Sequence, residues 1–218
     1  MLKIINEDFF WYDESDEKSR VFHVVPDVYA DGRGKFTEIW KRGADKHWSF
    51  RKNWVRQINT SFSIPGVIRG CHAQSGKYCQ AKMVYAMERD IFDIITDARP
   101  QSKTFGMTKT FTLSATAMNK LFVPRGFLHA VYIPKKENED GSQAILTYMC
   151  DNVFNKDSEV KVNPTYVTKM LDVERNLPKN ELEEIVAAKQ DLDGKKMEDF
   201  LSAIYFNYKE NKVNWYEA

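Results

Sequence analysis

Arg69-Gly70-Cys71-His72-Ala73-Gln74, with Lys82 shortly after, gathers the residue types that proton transfer on an anionic substrate requires. The imidazole takes up a proton near neutral pH, the guanidinium is a fixed cation, and the lysine amine and glutamine amide supply donors. A lone histidine in a strand-rich chain is more often satisfied by neighbouring backbone than catalytic. The elements around the stretch therefore decide how it is read.

Those elements are mostly strands. Val21–Pro26 reads as a strand, Asp31-Gly32-Arg33-Gly34 as a tight turn, and Lys35–Trp40 as an alternating strand. Further short strands are expected over 55–62, 67–71, 82–87, 91–97, 108–113, 120–123, 130–133 and 144–150. They are separated by Ile64-Pro65-Gly66, Ala98-Arg99-Pro100, Pro124-Arg125-Gly126 and the stretch from Glu137 to Gly141. Evenly spaced strands without interleaved helices predict a mainly β protein, an antiparallel double-sheet jelly roll or cupin barrel. Beyond residue 178 the period changes. Asn180 and Glu183 have the spacing of a helix cap, with Leu182, Ile185 and Val186 as its apolar face; Asp193-Gly194 turns the chain. A second helix follows, with Met197, Phe200, Leu201, Ile204, Tyr205 and Tyr208 on one face. The expected organisation is one domain over 1–177, its first twenty or so residues an acidic and aromatic extension, with 178–218 a helical appendage.

Composition excludes several classes of function. With 32 basic and 31 acidic side chains the chain is almost neutral, which argues against nucleic acid or an anionic membrane as partner. No apolar run approaches the ~20 residues of a membrane helix, and the N-terminus lacks a secretory layout, so a soluble cytoplasmic protein is expected. Cys71, Cys79 and Cys150 show no metal-binding or disulfide spacing and read as buried thiols. The four histidines, His23, His47, His72 and His129, contain no H-x-H pair, so no metal site is expected.

Five stretches taken together resemble the dTDP-4-dehydrorhamnose 3,5-epimerase family, nucleotide-sugar epimerases on a cupin barrel. They are Asp31–Glu38, Gln57-Ile58-Asn59-Thr60-Ser61, Arg69–Gln74, Asp97–Gly106 and Pro124–His129, in matching order and spacing between about Val21 and Asn155. The resemblance implies epimerisation at C3, C5 or both of a nucleotide-diphosphate-linked 4-keto-6-deoxy sugar, without a cofactor, in a homodimer. It casts His72 as base, Tyr148 as acid and Lys82 as the cation at the enolate oxygen. It places Arg33, Glu38, Gln57, Asn59, Arg69, Gln74, His129 and Tyr29 around the substrate, with Asp93 supporting His129. Arg33 is implied to reach the neighbouring subunit's site. Two departures qualify this. The aspartate that orients the base in the family has no recognisable segment here, and Asp172, Asp191 and Asp193 are candidates by position only. Val153 stands where a second base-stacking ring belongs, which leaves the nucleotide open. The alternatives are a 3,4-ketoisomerase on the same substrate class and a barrel that binds nucleotide sugars without turnover.

Overall fold

A computed structural model describes residues 3–4, 20–41, 55–135 and 142–217. The stretch 5–19, His47 and the separator from Glu137 to Gly141 lie outside them.

Two antiparallel sheets face one another. The first is ordered β1 (Lys3–Ile4), β2 (Phe22–Val25), β10 (Lys120–Val123), β7 (Lys82–Glu88), β12 (Ala144–Cys150), β5 (Gln57–Ser63). The second is ordered β13 (Glu159–Lys161), β6 (Val67–Gln74), β11 (Phe127–Tyr132), β8 (Ile91–Asp97), β9 (Thr108–Leu113). β3 (Val28–Asp31) and β4 (Gly34–Thr37) form a separate exposed hairpin. This is the expected barrel, and side-chain alternation explains how it closes. Val84, Ala86, Ile91, Ile95, Leu121, Val123, Val131 and Leu146 point between the sheets into the main core. Their neighbours on the first sheet, including Phe22, Val24, Met83, Tyr85 and Phe122, form a cluster on its outer face. Ile68, Cys71, Ala73, Ile94 and Ala130 cover the outer face of the second sheet, beneath the helices. All three cysteines are buried and unpaired; burial, with the Asp191 carboxylate adding to it, pushes the Cys71 thiol up to about 12.

The C-terminal part departs from expectation in two places. A helix, α1 (Thr165–Arg175), begins before residue 178; Val167 and Leu171 bury its one apolar stripe, and Glu174 Oε2 accepts from the Thr110 backbone N–H at 2.8 Å. The helix expected around Leu182–Val186 stops early, as α2 (Lys179–Glu183). Asn180 and Glu183 form no capping pair there: α2 has Pro178 at its N-cap and no side-chain cap bond. Val186 leaves it for β14 (Val186–Ala187), which pairs in parallel with Val67 and Ile68 of β6. A buried glutamate fastens α2 to the barrel, since Glu181 Oε1 accepts from Tyr132 Oη at 2.6 Å and from the Lys135 N–H at 3.1 Å. One short turn, α3 (Lys189–Leu192), precedes the long helix α4 (Met197–Asn211), which buries Met197 and Phe200 as its spacing predicts.

Candidate active site

Residues directly opposite in an antiparallel pair share a face, so register shows which side chains enter the barrel. On the first sheet Tyr148 stands opposite Asn59 and Val84, and Cys150 stands opposite Gln57 and Lys82. Val84 belongs to the inner core with Tyr148 packed on it, so Gln57, Asn59, Lys82 and Tyr148 line one interior wall. On the second sheet His129 is opposite Ile95 of the inner core and opposite His72. Two residues on, Gln74 shares His72's face, and Arg69 pairs with the inward Val131. The two walls thus carry a tyrosine and a lysine on one side and two histidines on the other.

Each group has a defined setting. Lys82 Nζ stands 5.8 Å from the centroid of the Tyr148 ring. Burial pushes the Tyr148 phenol above its ordinary value, with Arg69 opposing weakly, so the hydroxyl keeps its proton at neutral pH. His129 Nε2 lies 2.8 Å from both carboxylate oxygens of the fully buried Asp93. Arg99 pairs with Asp97, through Nε–H to Oδ1 and Nη2–H to Oδ2, each at 2.8 Å. Gln57 Nε2 donates to Asn59 Oδ1 at 2.8 Å, and its own Oδ-equivalent, Oε1, accepts from the Phe154 N–H at 2.7 Å. Gln74 Oε1 accepts from the Asn155 N–H, and Arg69 Nε donates to Ser63 Oγ.

The partner of His72 is Asp191. Its Oδ1 lies 2.8 Å from His72 Nε2, and its side chain is only 4% exposed. The position follows from a gap at the edge of β6. β14 pairs with residues 67–68 and β13 with 72–74, which leaves Gly70 between them; the Gly70 N–H donates to Asp191 Oδ2 at 3.4 Å. The carboxylate fills the place of a strand partner. α3 is held across that gap from both ends, by β14 before it and by the Val162–Lys195 bridge after it. With Nε2–H donated to Asp191, the Nδ1 lone pair is free to act as a base.

Two more inward residues escaped the sequence reading. Glu159 stands opposite Gln74 and Lys161 opposite His72. The period-two alternation of Glu159-Val160-Lys161-Val162 was the available signal, in a segment too short to stand out.

The hairpin residues stand apart from the pocket within a single chain. Tyr29, Arg33 and Glu38 do not join this group within the chain. Arg33 is 91% exposed and its guanidinium pairs with Asp31, Nη2 to Oδ2 at 2.6 Å. The segment after β4 is fastened to the other side of the first sheet, where Lys120 Nζ donates to the carbonyls of Glu38 and Ile39. Lys120 pairs with Val24 and Tyr85 of the outer cluster, so the hairpin springs from the face opposite to the pocket.

Among known proteins, the family model for dTDP-4-dehydrorhamnose 3,5-epimerase matches residues 18–199. The chain is 34% identical over 134 residues to the enzyme of that name from Shigella flexneri, covering 62% of this chain and 71% of the relative. It is equally identical to the one from Neisseria gonorrhoeae over 62% of this chain, a stretch that spans only 38% of that relative's length. The crystal structure of dTDP-6-deoxy-D-glucose-3,5-epimerase from Legionella pneumophila, in complex with dTDP-4-keto-L-rhamnose, superposes with a TM-score of 0.72 at 25% identity, covering 91% of this chain and 94% of that one. With a barrel of this topology, paired histidine–carboxylate groups on one wall and a family match across most of its length, the chain belongs to the dTDP-4-dehydrorhamnose 3,5-epimerase family.

Proposed function

We infer that the protein epimerises C3, C5 or both in a nucleotide-diphosphate-linked 4-keto-6-deoxy sugar. The observation that carries this is the His72–Asp191 pair on one interior wall with Tyr148 and Lys82 on the other. The C4 carbonyl acidifies the hydrogens on its neighbours, so the reaction needs a base on one face, an acid on the other and a donor at O4. His72 Nδ1 takes the proton as the C–H bond breaks, and the bonding pair moves to O4. Lys82 stabilises the enolate oxygen. Tyr148 returns a proton to the opposite face. No redox step occurs.

Arg69, Gln57, Asn59, Gln74 and His129, with Asp93 behind it, grip sugar and phosphates. The relatives' names support dTDP as the nucleotide, and the half-exposed Phe154 ring, beside Val153, offers the stacking surface that Val153 lacks. In a homodimer the exposed hairpin carries Tyr29 and Arg33 to the other copy's pocket, with the exposed Glu38 just after it. Residues 1–177 and 178–218 form one domain with an appendage, supported by Phe200 of α4 packing in the second sheet's outer cluster. Among the described residues no helix is long and apolar enough to cross a membrane, and we place the protein in the cytoplasm. A carboxylate placed on His72, as Asp191 is, favours turnover over a barrel that only binds nucleotide sugars.

The test is to incubate the protein with dTDP-4-keto-6-deoxyglucose and its GDP-linked counterpart and identify products by NMR. Inverted C3 or C5 is expected with dTDP. A ketone moved to C3 would establish the ketoisomerase instead, and no product from either nucleotide would contradict the reading.

Removing the acid has a separate signature. Tyr148→Phe should cut turnover about 100- to 1000-fold, within the range general acids contribute. Because burial pushes the phenol's pKa above its ordinary value, its protonated form persists through neutral pH. The wild-type rate should therefore show no alkaline decline attributable to Tyr148 until the pH exceeds that value. A rate profile up to high pH checks this.

A further inference from the structure

Glu159 and Lys161 face the pocket without a part in the reaction described above. Glu159 Oε1 lies 3.8 Å from His72 Nδ1, and its Oε2 lies 3.3 Å from Lys161 Nζ. Lys161 Nζ also donates to Gln190 Oε1 at 3.1 Å, in the same short turn that carries Asp191. The Glu159 side chain is 17% exposed and that of His72 29%, so water screens the pair only in part. At 3.8 Å the carboxylate is too distant to hydrogen-bond a ring nitrogen. The Nδ1 lone pair of the neutral ring is left free. The same distance is short enough to attract an imidazolium.

We propose that Glu159 is a positioning residue for His72, ion-pairing with the imidazolium formed when His72 takes the substrate proton, while Lys161 and Gln190 hold the carboxylate off the neutral ring. This rests on His72 being the base of the proposed reaction. When the substrate C–H bond breaks, the N–H bond forms at Nδ1 and the electron pair passes to the enolate oxygen. The new positive charge on the ring then lies between Asp191 on its Nε2 side and Glu159 on its Nδ1 side. Two carboxylates beside one cation would leave surplus negative charge next to an enolate. Lys161 cancels one of them, which explains a lysine at the position opposite His72. Among the described residues, the other charged or titratable groups on the walls around His72 include His129 from β11, backed by Asp93 from β8, Lys82, Tyr148 and Cys150 from the opposite wall, and Arg69 on its own strand.

The test follows deuterium uptake at C3 and C5 of the 4-keto sugar across about pH 5 to 9, the range in which an imidazole titrates. Wild type, Glu159→Gln and Lys161→Met are compared, with dTDP affinity as a control on pocket integrity. Strand pairing at β13 is through backbone groups, which neither substitution removes. Glu159→Gln should slow exchange at neutral pH about two- to fivefold, the scale of a partly exposed ion pair. It should also move the acid limb of the profile to lower pH, because losing an anion disfavours the charged ring. Lys161→Met should move the limb the opposite way. Limbs that stay in place, or move in the same direction in both variants, would mean that β13 only shapes the pocket, and would overturn the proposal. The failures separate cleanly. If wild type exchanges nothing, the epimerase reading falls; if wild type exchanges, His72→Asn does not, and the two β13 variants keep the wild-type profile, only this inference falls.

Discussion

Asp191→Asn should lower the rate of substrate C–H exchange by about 100- to 10,000-fold, the scale seen when the orienting acid of a histidine base becomes an amide, while leaving dTDP affinity nearly unchanged. An asparagine keeps the shape and one carbonyl oxygen, so the Gly70 N–H retains its acceptor and the edge of β6 is undisturbed. What changes is the proton on the ring. The carboxylate accepts from Nε2–H and so keeps Nδ1 unprotonated, whereas an amide N–H pointed at Nε2 requires the other tautomer. That places the proton on the atom which must receive one from the substrate. The amide also removes the negative charge that stabilises the imidazolium. Exchange kinetics with a melting curve check the claim: wild-type stability with wild-type exchange would show that Asp191 is only a structural partner of Gly70.

The largest effect on the fold is expected from Gly70→Ala. Gly70 has φ of +101°, where side chains are rarely found, and a Cβ there would lie 2.4 Å from the His129 carbonyl oxygen and 2.9 Å from Ala130 Cα. Both obstacles are backbone of β11, which cannot rotate away. Backbone strain of this kind costs about 1–3 kcal/mol alone, and separating two paired strands adds to it, so about 3 kcal/mol or more is expected. For a chain of this size that lowers Tm by about 6–12 °C. Activity should fall too, since β6 and β11 carry His72 and His129 as direct partners and Gly70 holds Asp191. A variant that melts like wild type would show that the sheet yields at this point.

The barrel was legible because its strands alternate and its separators are prolines and glycines. The expected Lys82–Met87, Ile91–Asp97 and Ala144–Cys150 strands appear within a residue of their bounds. Gln57, Asn59, Lys82 and Tyr148 lie within expected strands, whereas His72, Gln74 and His129 fall just outside the expected 67–71 and 130–133, over which β6 and β11 extend, and were singled out by the family resemblance. What stayed hidden depends on pairings between distant segments. Asp191 reaches His72 only because two-residue β14 and the Val162–Lys195 bridge pin a four-residue turn against the edge of β6. None of those pieces is long enough to show a period. α1 was missed because its interior contains Val167, Thr168 and Val173, poor helix formers, and only Val167 and Leu171 are buried. The hairpin was legible as a hairpin, but which side of the sheet it springs from is set by Lys120, buried at 3% exposure and bonded to two carbonyls of the segment after it.

The central claim is that His72 removes a proton from carbon next to the C4 ketone. Proton NMR in deuterated water on dTDP-4-keto-6-deoxyglucose, with wild type and His72→Asn, tests it most directly. The expected result is loss of the C3 or C5 signal with wild type and its persistence with His72→Asn, the variant still binding dTDP. Exchange that continues at the wild-type rate in His72→Asn would contradict the account, because the base would then be another residue.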